Sequence, residues 1–178
     1  MNGEAGKFSI GVINVSDRAS AGVYEDTPGQ EAVAWLKENY GDGWSLEYAV
    51  TPDDQEKISA TLMRMIDEAG CCLVLTTGGT GPAPRDVTPE ATMAVCDRLL
   101  PGFGEAMRMA SFARIPTSIL SRQVAGSRGS GLIINLPGKP AAIRECLDVI
   151  APAIPYAVFL VSGMQVCAGA DRPGKRSS

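Results

Sequence analysis

The chain has 178 residues, a net charge of −4, 45% hydrophobic residues and 20% charged residues. Such a chain makes one ordinary globular domain, long enough to bury a core without staples and too acidic for bulk attraction to nucleic acid or anionic membrane. Histidine is absent, which excludes a Ser-His-Asp triad, a Cys-His pair and a His-ligated zinc built from these residues alone.

Phe8 to Val15 (FSIGVINV) is a β-branched, nearly uncharged run and predicts a buried strand. Thr27-Pro28-Gly29-Gln30 predicts a helix start, with Thr27 as the cap, Pro28 at the first helical position and Gln30 closing a capping box. Ala32, Val33, Leu36 and Tyr40 then share a face, and Gly41 is the expected stop. Ser45 to Val50 alternates as a strand. Asp53 and Glu56 open another helix with the stripe Ile58, Leu62, Met65, Ile66 and Ala69, ended by Gly70.

Cys71 to Thr77 (CCLVLTT) is the clearest buried strand. Thr88-Pro89-Glu90 starts a helix with Met93, Cys96 and Leu100 facing in, and Phe103, Met107 and Ala110 suggest a further short one. Leu132 to Leu136 is a strand, Ile143, Cys146, Leu147 and Ile150 line a helix, and Ile154, Val158 and Val161 continue the helical C-terminal region. Residues 1–164 read as one domain, while 165–178 lack an apolar face and are expected to fray as a flexible tail.

The longest apolar stretch, Val149 to Val161, holds Pro152 and Pro155 and is shorter than the ~20 residues of a membrane span. The segment MNGEAGK has no apolar h-region, so no secretory signal is expected. Cys71, Cys72, Cys96, Cys146 and Cys167 show no CxxC spacing and read as reduced, buried thiols of a cytosolic protein.

The alternation predicts an α/β fold: a mostly parallel sheet sandwiched by helices, with ligands bound outside the carboxyl ends of the strands. Four loops leave those ends. Ser16-Asp17-Arg18 turns polar at once, as a solvated turn also would. Thr51-Pro52-Asp53-Asp54 contains a helix cap, Asp53 or Asp54. Thr76-Thr77-Gly78-Gly79-Thr80-Gly81-Pro82 lets backbone N–H groups approach an anion closely, yet it is neither a Walker A sequence nor GxGxxG. Arg85 and Asp86 follow just before a helix N-terminus, whose dipole and free N–H groups favour phosphate. Asp86 suits Mg²⁺ against a triphosphate, and Arg85 suits its oxygens. A glycine-rich turn with a surface Arg–Asp pair is the alternative. Pro137-Gly138-Lys139-Pro140 is either a rigid turn or a wall of the same pocket. Ser121-Arg122 and Arg128 add cations and a hydroxyl near that edge.

SDRASAGVYEDTPG, TTGGTGPAPRDVTPEAT, PGFGEAMR, ILSRQVAG and NLPGKPAAI, in that order, closely resemble the molybdopterin adenylyltransferases of molybdenum cofactor biosynthesis. The resemblance spans about Ile10 to Ser162. It implies a three-layer α/β/α sandwich and a homotrimer. It also implies Mg²⁺-dependent transfer of AMP from ATP to molybdopterin, releasing pyrophosphate, with molybdate inserted later by a separate protein. Carried over by position, Asp53 and Asp86 match the family's two functional aspartates, assigned to Mg²⁺ and phosphate handling. Thr77, Gly78, Gly79, Thr80, Gly81 and Arg85 would bind phosphates. Ser16 and Asp17 would border the pterin, Pro137, Gly138 and Lys139 the adenosine, and Glu105, Arg108 and Ser121 the pocket wall. Transient contact with molybdopterin synthase and with the molybdate-inserting protein is implied, in the cytoplasm and without nucleic acid or membrane. The alternatives are a non-catalytic molybdopterin carrier and a nucleotide hydrolase using the same loop.

Overall fold

The computed structural model describes residues 8–23, 26–40 and 43–166. Its strands are β1 (Phe8–Val15), β2 (Trp44–Thr51), β3 (Cys71–Thr77), β4 (Arg98–Leu99), β5 (Ala125–Arg128) and β6 (Gly131–Leu136). Its helices are α1 (Asp17–Ser20), α2 (Thr27–Tyr40), α3 (Gln55–Met63), α4 (Thr88–Val95), α5 (Pro101–Phe112), α6 (Pro140–Ile150) and α7 (Ile154–Ser162). A π turn, Arg64–Glu68, prolongs α3, and a 3₁₀ turn, Pro116–Leu120, follows α5.

The six-stranded sheet runs β2-β1-β3-β6-β5-β4. The first four are parallel neighbours, whereas β5 and β4 add on antiparallel. Side chains alternate across the pleat. Ile10 and Val12 of β1 join α2, α5, α6 and α7 in one core, and Ile13 and Val15 join α3 and α4 in the other. These are the three layers of an α/β/α sandwich. Every residue of β3 and β6 is buried, which is why both are rich in apolar residues.

Local chemistry differs from the expectations at several points. Asp26, not Thr27, caps α2, because its carboxylate accepts the Gly29 N–H at 3.0 Å and Thr27 is already helical. Gly41, the expected stop of α2, lies outside the described residues. Asp54 caps α3 by accepting the Lys57 N–H, so Asp53 is released from that role. Helix α4 ends at Val95, leaving Cys96 extended and Met93 exposed at 41%. Ala110 is exposed and Val161 half-buried. β4 and β5 were not expected at all. Val166, inside the expected tail, is buried in the core, while Cys167 and the residues after it lie outside the described part.

Cys71, Cys72, Cys96 and Cys146 are unpaired thiols. Burial pushes Cys71 up to about 12 and Cys72 and Cys96 up to about 11, so all three stay protonated and unreactive near neutrality. Among the described residues no single helix is long and apolar enough to cross a membrane.

One buried polar side chain ties β3, β6 and α4 together. The Asn135 amide donates to Thr76 Oγ1 (3.0 Å) and Thr92 Oγ1 (2.8 Å) and accepts from the Val124 N–H (3.4 Å). Asn135→Ala leaves these groups without that partner in a dry interior, and should cost about 2–3 kcal/mol. The expected readout is a lower urea midpoint at unchanged m-value; an unchanged midpoint would contradict this account.

Candidate active site

The strand ends lie level with one another. Val15 pairs with Thr51, Asn14 with Thr77, and Thr77 with Leu136. The chain leaves β1 for β2 on one side and returns to β3 on the other, so the connections diverge between β1 and β3, where open α/β sheets bind ligands. Backbone bonds stitch the departing loops together: Ser16 N–H donates to Thr51 O (2.8 Å) and Gly78 N–H to Leu136 O (3.2 Å).

Two glycines of the central loop are required by their geometry. Gly78 has φ +90°, and a Cβ there would lie 2.4 Å from Val15 O. Gly79 has φ +63°, and its Cβ would lie 2.3 Å from Thr88 Oγ1. Both φ values fall where side chains are strained. Thr88 fixes this turn, its hydroxyl donating to Gly78 O (2.9 Å) and its N–H to Gly79 O (3.1 Å). This changes the part expected of the N-terminus of α4. The Thr88 N–H is spent on the loop and Pro89 has none. The helix start therefore shapes the loop.

Two carboxylates sit over the loop. Asp53 Oδ1 lies 3.2 Å from where a Gly79 side chain would begin, and Asp86 Oδ2 lies 2.7 Å from the corresponding point at Gly81. Asp53 and Asp17 cap each other: the Asp17 N–H donates to Asp53 Oδ2 (3.0 Å) and the Asp53 N–H to Asp17 Oδ1 (3.1 Å). Arg85 closes the knot with a 2.5 Å ion pair to Asp17 Oδ2 and a longer bond to Asp53 O (3.4 Å). Asp86 Oδ2 accepts the Ala83 N–H (2.9 Å). Burial raises the Asp53 carboxyl above its ordinary value, with the Asp17 and Asp86 charges adding to the effect and the Asp17 N–H and Arg85 opposing it. Among the described residues no group of three or more His, Cys, Asp or Glu side chains could hold a metal by itself. Magnesium, however, is commonly held by one or two carboxylates together with substrate phosphates. The Asp53–Asp86 pair fits a metal that arrives with a phosphorylated ligand.

A cleft lies on each side of the Pro137–Lys139 turn. The first, about 310 Å³, is bordered by Asn14, Ser16, Arg18, Pro28, Gly78 and Gly138. The second, about 210 Å³, is bordered by Arg108, Ser118, Ser121, Gln123, Pro137 and Lys139. The hydroxyls of Ser118 and Ser121 are buried there without a protein partner. Arg108 donates to Gln123 O (2.9 Å) and Ser121 O (3.4 Å), so it is part of that wall.

Most of the expected residues are thus gathered at one edge, with two exceptions in detail. The Thr77 side chain faces down, donating to Asn14 Oδ1 (3.1 Å), and Asn14 donates to Asp26 Oδ1 (2.7 Å), which leaves Thr77 only its backbone for a ligand. Glu105 is exposed in a groove with Met109, Phe112 and Ile119 that shares only Arg108 with the second cleft. Sequence reasoning missed Asn14, Pro28, Ser118 and Gln123 as site residues, and gave Arg18, named in the first loop, no role. Asn14, one polar residue near the end of an apolar strand, carried a usable signal.

The chain has clear relatives. The chain is 55% identical over 159 residues to a molybdopterin adenylyltransferase of Helicobacter pylori, covering 88% of this chain and 90% of that one. It is 47% identical over 169 residues to the molybdopterin adenylyltransferase of Escherichia coli K12, covering 88% and 87%. Among solved structures, the molybdopterin biosynthesis enzyme MoaB of Thermus thermophilus superposes with a TM-score of 0.82 at 40% identity, covering 90% of this chain and 99% of that one. The Mog protein of Mycobacterium ulcerans superposes with 0.80 at 40% identity, covering 87% and 99%. The model of the family described as "Probable molybdopterin binding domain" matches residues 11–156, and the chain belongs to that family.

Proposed function

We propose that this chain is a molybdopterin adenylyltransferase of molybdenum cofactor biosynthesis, transferring AMP from ATP to the terminal phosphate of molybdopterin. The observation that carries this reading is the placement of the Asp53 and Asp86 carboxylates over Gly79 and Gly81. Identities of 47% and 55% to enzymes of that name support it.

An oxygen of the pterin's phosphate attacks the α-phosphorus of ATP. The bond from that phosphorus to the oxygen bridging to the β-phosphate breaks, and pyrophosphate leaves with the electron pair. The attacking oxygen is already ionised at neutral pH, so no general base is needed, in keeping with a chain that has no histidine. What must be overcome is repulsion. Two unit charges 4 Å apart repel by about 4 kcal/mol in a partly shielded site. Holding both reactants in line removes much of the remaining barrier.

The loop Gly78–Gly81 cradles phosphates through its main chain, and Arg85 adds positive charge beside it. Asp86, with Asp53, would hold Mg²⁺, which when bound neutralises the phosphate oxygens. Ser16 and Asp17 border the pterin in the first cleft. Pro137, Gly138 and Lys139 form the adenosine side, with Arg108 and Ser121 as the wall of the second cleft. We place the protein in the cytoplasm, which its four unpaired described cysteines support. Molybdopterin synthase and the molybdate-inserting protein are its transient partners.

We also propose a homotrimer. Exposed apolar side chains gather on α5 and the 3₁₀ turn (Met109, Phe112, Ile115, Ile119 and Leu120) and on α7 (Tyr156, Phe159 and Leu160). Patches of this kind mark contact surfaces.

With ATP, Mg²⁺ and molybdopterin the protein should release pyrophosphate, and Asp86→Asn should lower kcat on the order of a hundredfold or more while remaining folded. Molybdopterin binding without pyrophosphate release would leave a carrier, and ATP turnover without pterin would favour a hydrolase. Light scattering at micromolar concentration should give three times the monomer mass; a monomer mass would remove the trimer.

Asp53 offers a separate check. Its carboxyl titrates above its ordinary 3.8, so the folded protein loses stability as pH rises through that raised range. Asp53→Asn keeps an acceptor for the Asp17 N–H and removes the charge. It should raise the melting midpoint at pH 7, with the gain disappearing as the pH falls into the ordinary carboxylate range, while abolishing pyrophosphate release. A lowered midpoint at neutral pH would show that the carboxylate stabilises the apo fold.

A further inference from the structure

Arg122 stands behind the phosphate loop and its bonds go to the loop's main chain. Its N–H donates to Thr80 O (2.7 Å), its Nε to Gly81 O (2.8 Å) and its Nη2 to Asp86 O (2.5 Å). The same guanidinium pairs in a fork with Glu90, Nη1 to Oε1 and Nη2 to Oε2. Glu90 lies in the first turn of α4, two residues after Thr88, which holds Gly78 and Gly79. Between Gly81 and Asp86 the other ties are internal, Ala83 N–H to Asp86 Oδ2 and Asp86 N–H to Ala83 O (both 2.9 Å), together with the exposed Arg85 side chain on Asp17 and Asp53 O. Pro82, Ala83, Pro84 and Arg85 are exposed.

We infer that Arg122, anchored by Glu90, is a positioning residue that sets the Thr80–Asp86 loop so that the Asp86 carboxylate meets the metal–nucleotide. This inference rests on the adenylyl-transfer reading. Arg122 is not a ligand of the phosphates: its charge is matched by Glu90, and the bonds just described go to protein. Its action is geometric. A planar guanidinium reaches two carbonyls and a carboxylate at once, whereas a lysine ammonium presents three donors from a single point and cannot span that set. A loop that carries a metal-binding carboxylate and has no side chains of its own at Gly79 and Gly81 takes its register from this clamp. An error of about 1 Å in such placement can cost about a hundredfold in rate.

The test compares the wild type with Arg122→Lys, Arg122→Gln and Glu90→Gln. Pyrophosphate release is measured against Mg²⁺ concentration, and calorimetric titration with Mg²⁺ and α,β-methylene-ATP is run alongside hydrogen exchange of the Gly81–Asp86 amides. Both Arg122 variants should stay folded by circular dichroism, lose at least about tenfold in kcat, need more Mg²⁺ for half-activation, bind the analogue more weakly and exchange faster across the loop. Affinity for molybdopterin alone should change little. Arg122→Lys should not rescue, and Glu90→Gln, which spares the carbonyl bonds, should move every readout the same way by less, remaining readable if Arg122→Gln is unstable. Wild-type Mg²⁺ dependence and exchange in folded variants, or full rescue by lysine, would overturn the inference. A wild type that releases no pyrophosphate would reject adenylyl transfer instead, with analogue binding and exchange still deciding the role of Arg122.

Discussion

Val15 beside Thr51, Asn14 beside Thr77 and Thr77 beside Leu136 bring four parallel strands to an end at one level. Four loops then compete for the same few ångströms. A Cβ on Gly78 would strike the Val15 carbonyl, and one on Gly138 would lie 3.3 Å from the Gly78 Cα. The glycines are therefore needed by strand packing before any ligand is considered. The same crowding lets Asp17 and Asp53, 36 positions apart, cap one another's N–H groups. A register slip of one residue in β2 would break that pair and turn the alternating side chains of β2 to the opposite face.

Carboxylates crowd the glycine-rich loop itself, while Arg18 and Lys139 border the two clefts. Asp17, Asp53 and Asp86 lie around one loop, with Arg85 as the cation paired among them. Three carboxylates facing a triphosphate would repel it by several kcal/mol even at an effective dielectric constant of ~20. The empty fold tolerates them because Asp17, Asp53 and Asp86 each accept a backbone N–H. In the proposed adenylyl transfer, a cation between the Asp53–Asp86 pair and the triphosphate would offset that repulsion.

The sequence was a good guide wherever burial dictates residue type. β1, β3 and β6 are apolar runs that end in polar or glycine-rich loops, and the first two were read to the residue because both faces of a central parallel strand are covered. β4 and β5 were illegible for the opposite reason. Arg98–Leu99 and AGSR carry no period-2 pattern, since pairing to a neighbouring edge, not burial of large side chains, makes them strands. The aspartates and glycines of the site were visible as motif. The roles of Arg122 and Thr88 were not, because their partners are main-chain carbonyls, which carry no residue-type signal. Ser121 was visible through the family motif, whereas Ser118 was hidden: a wall of a cleft is assembled from a 3₁₀ turn and the strand-to-helix turn at Pro137, distant in the chain.

A loop stripped of side chains cannot hold itself in shape, and the molecule answers by dividing the work between its two sides. On the proposed reading the side toward the phosphates is bare main chain at Gly78, Gly79 and Gly81, which would permit close approach of an anion. The side away from it is held by donors that use up its carbonyls: Thr88 on Gly78 and Gly79, and Arg122 on Thr80, Gly81 and Asp86. Beneath, the buried line from Thr77 through Asn14 to Asp26 fixes the end of β3 against β1 and the start of α2. At the start of α4 the Thr88 N–H is used on this scaffold. Preorganisation of this kind moves the cost of ordering the loop into folding, so that little remains to be ordered when two anions are brought together.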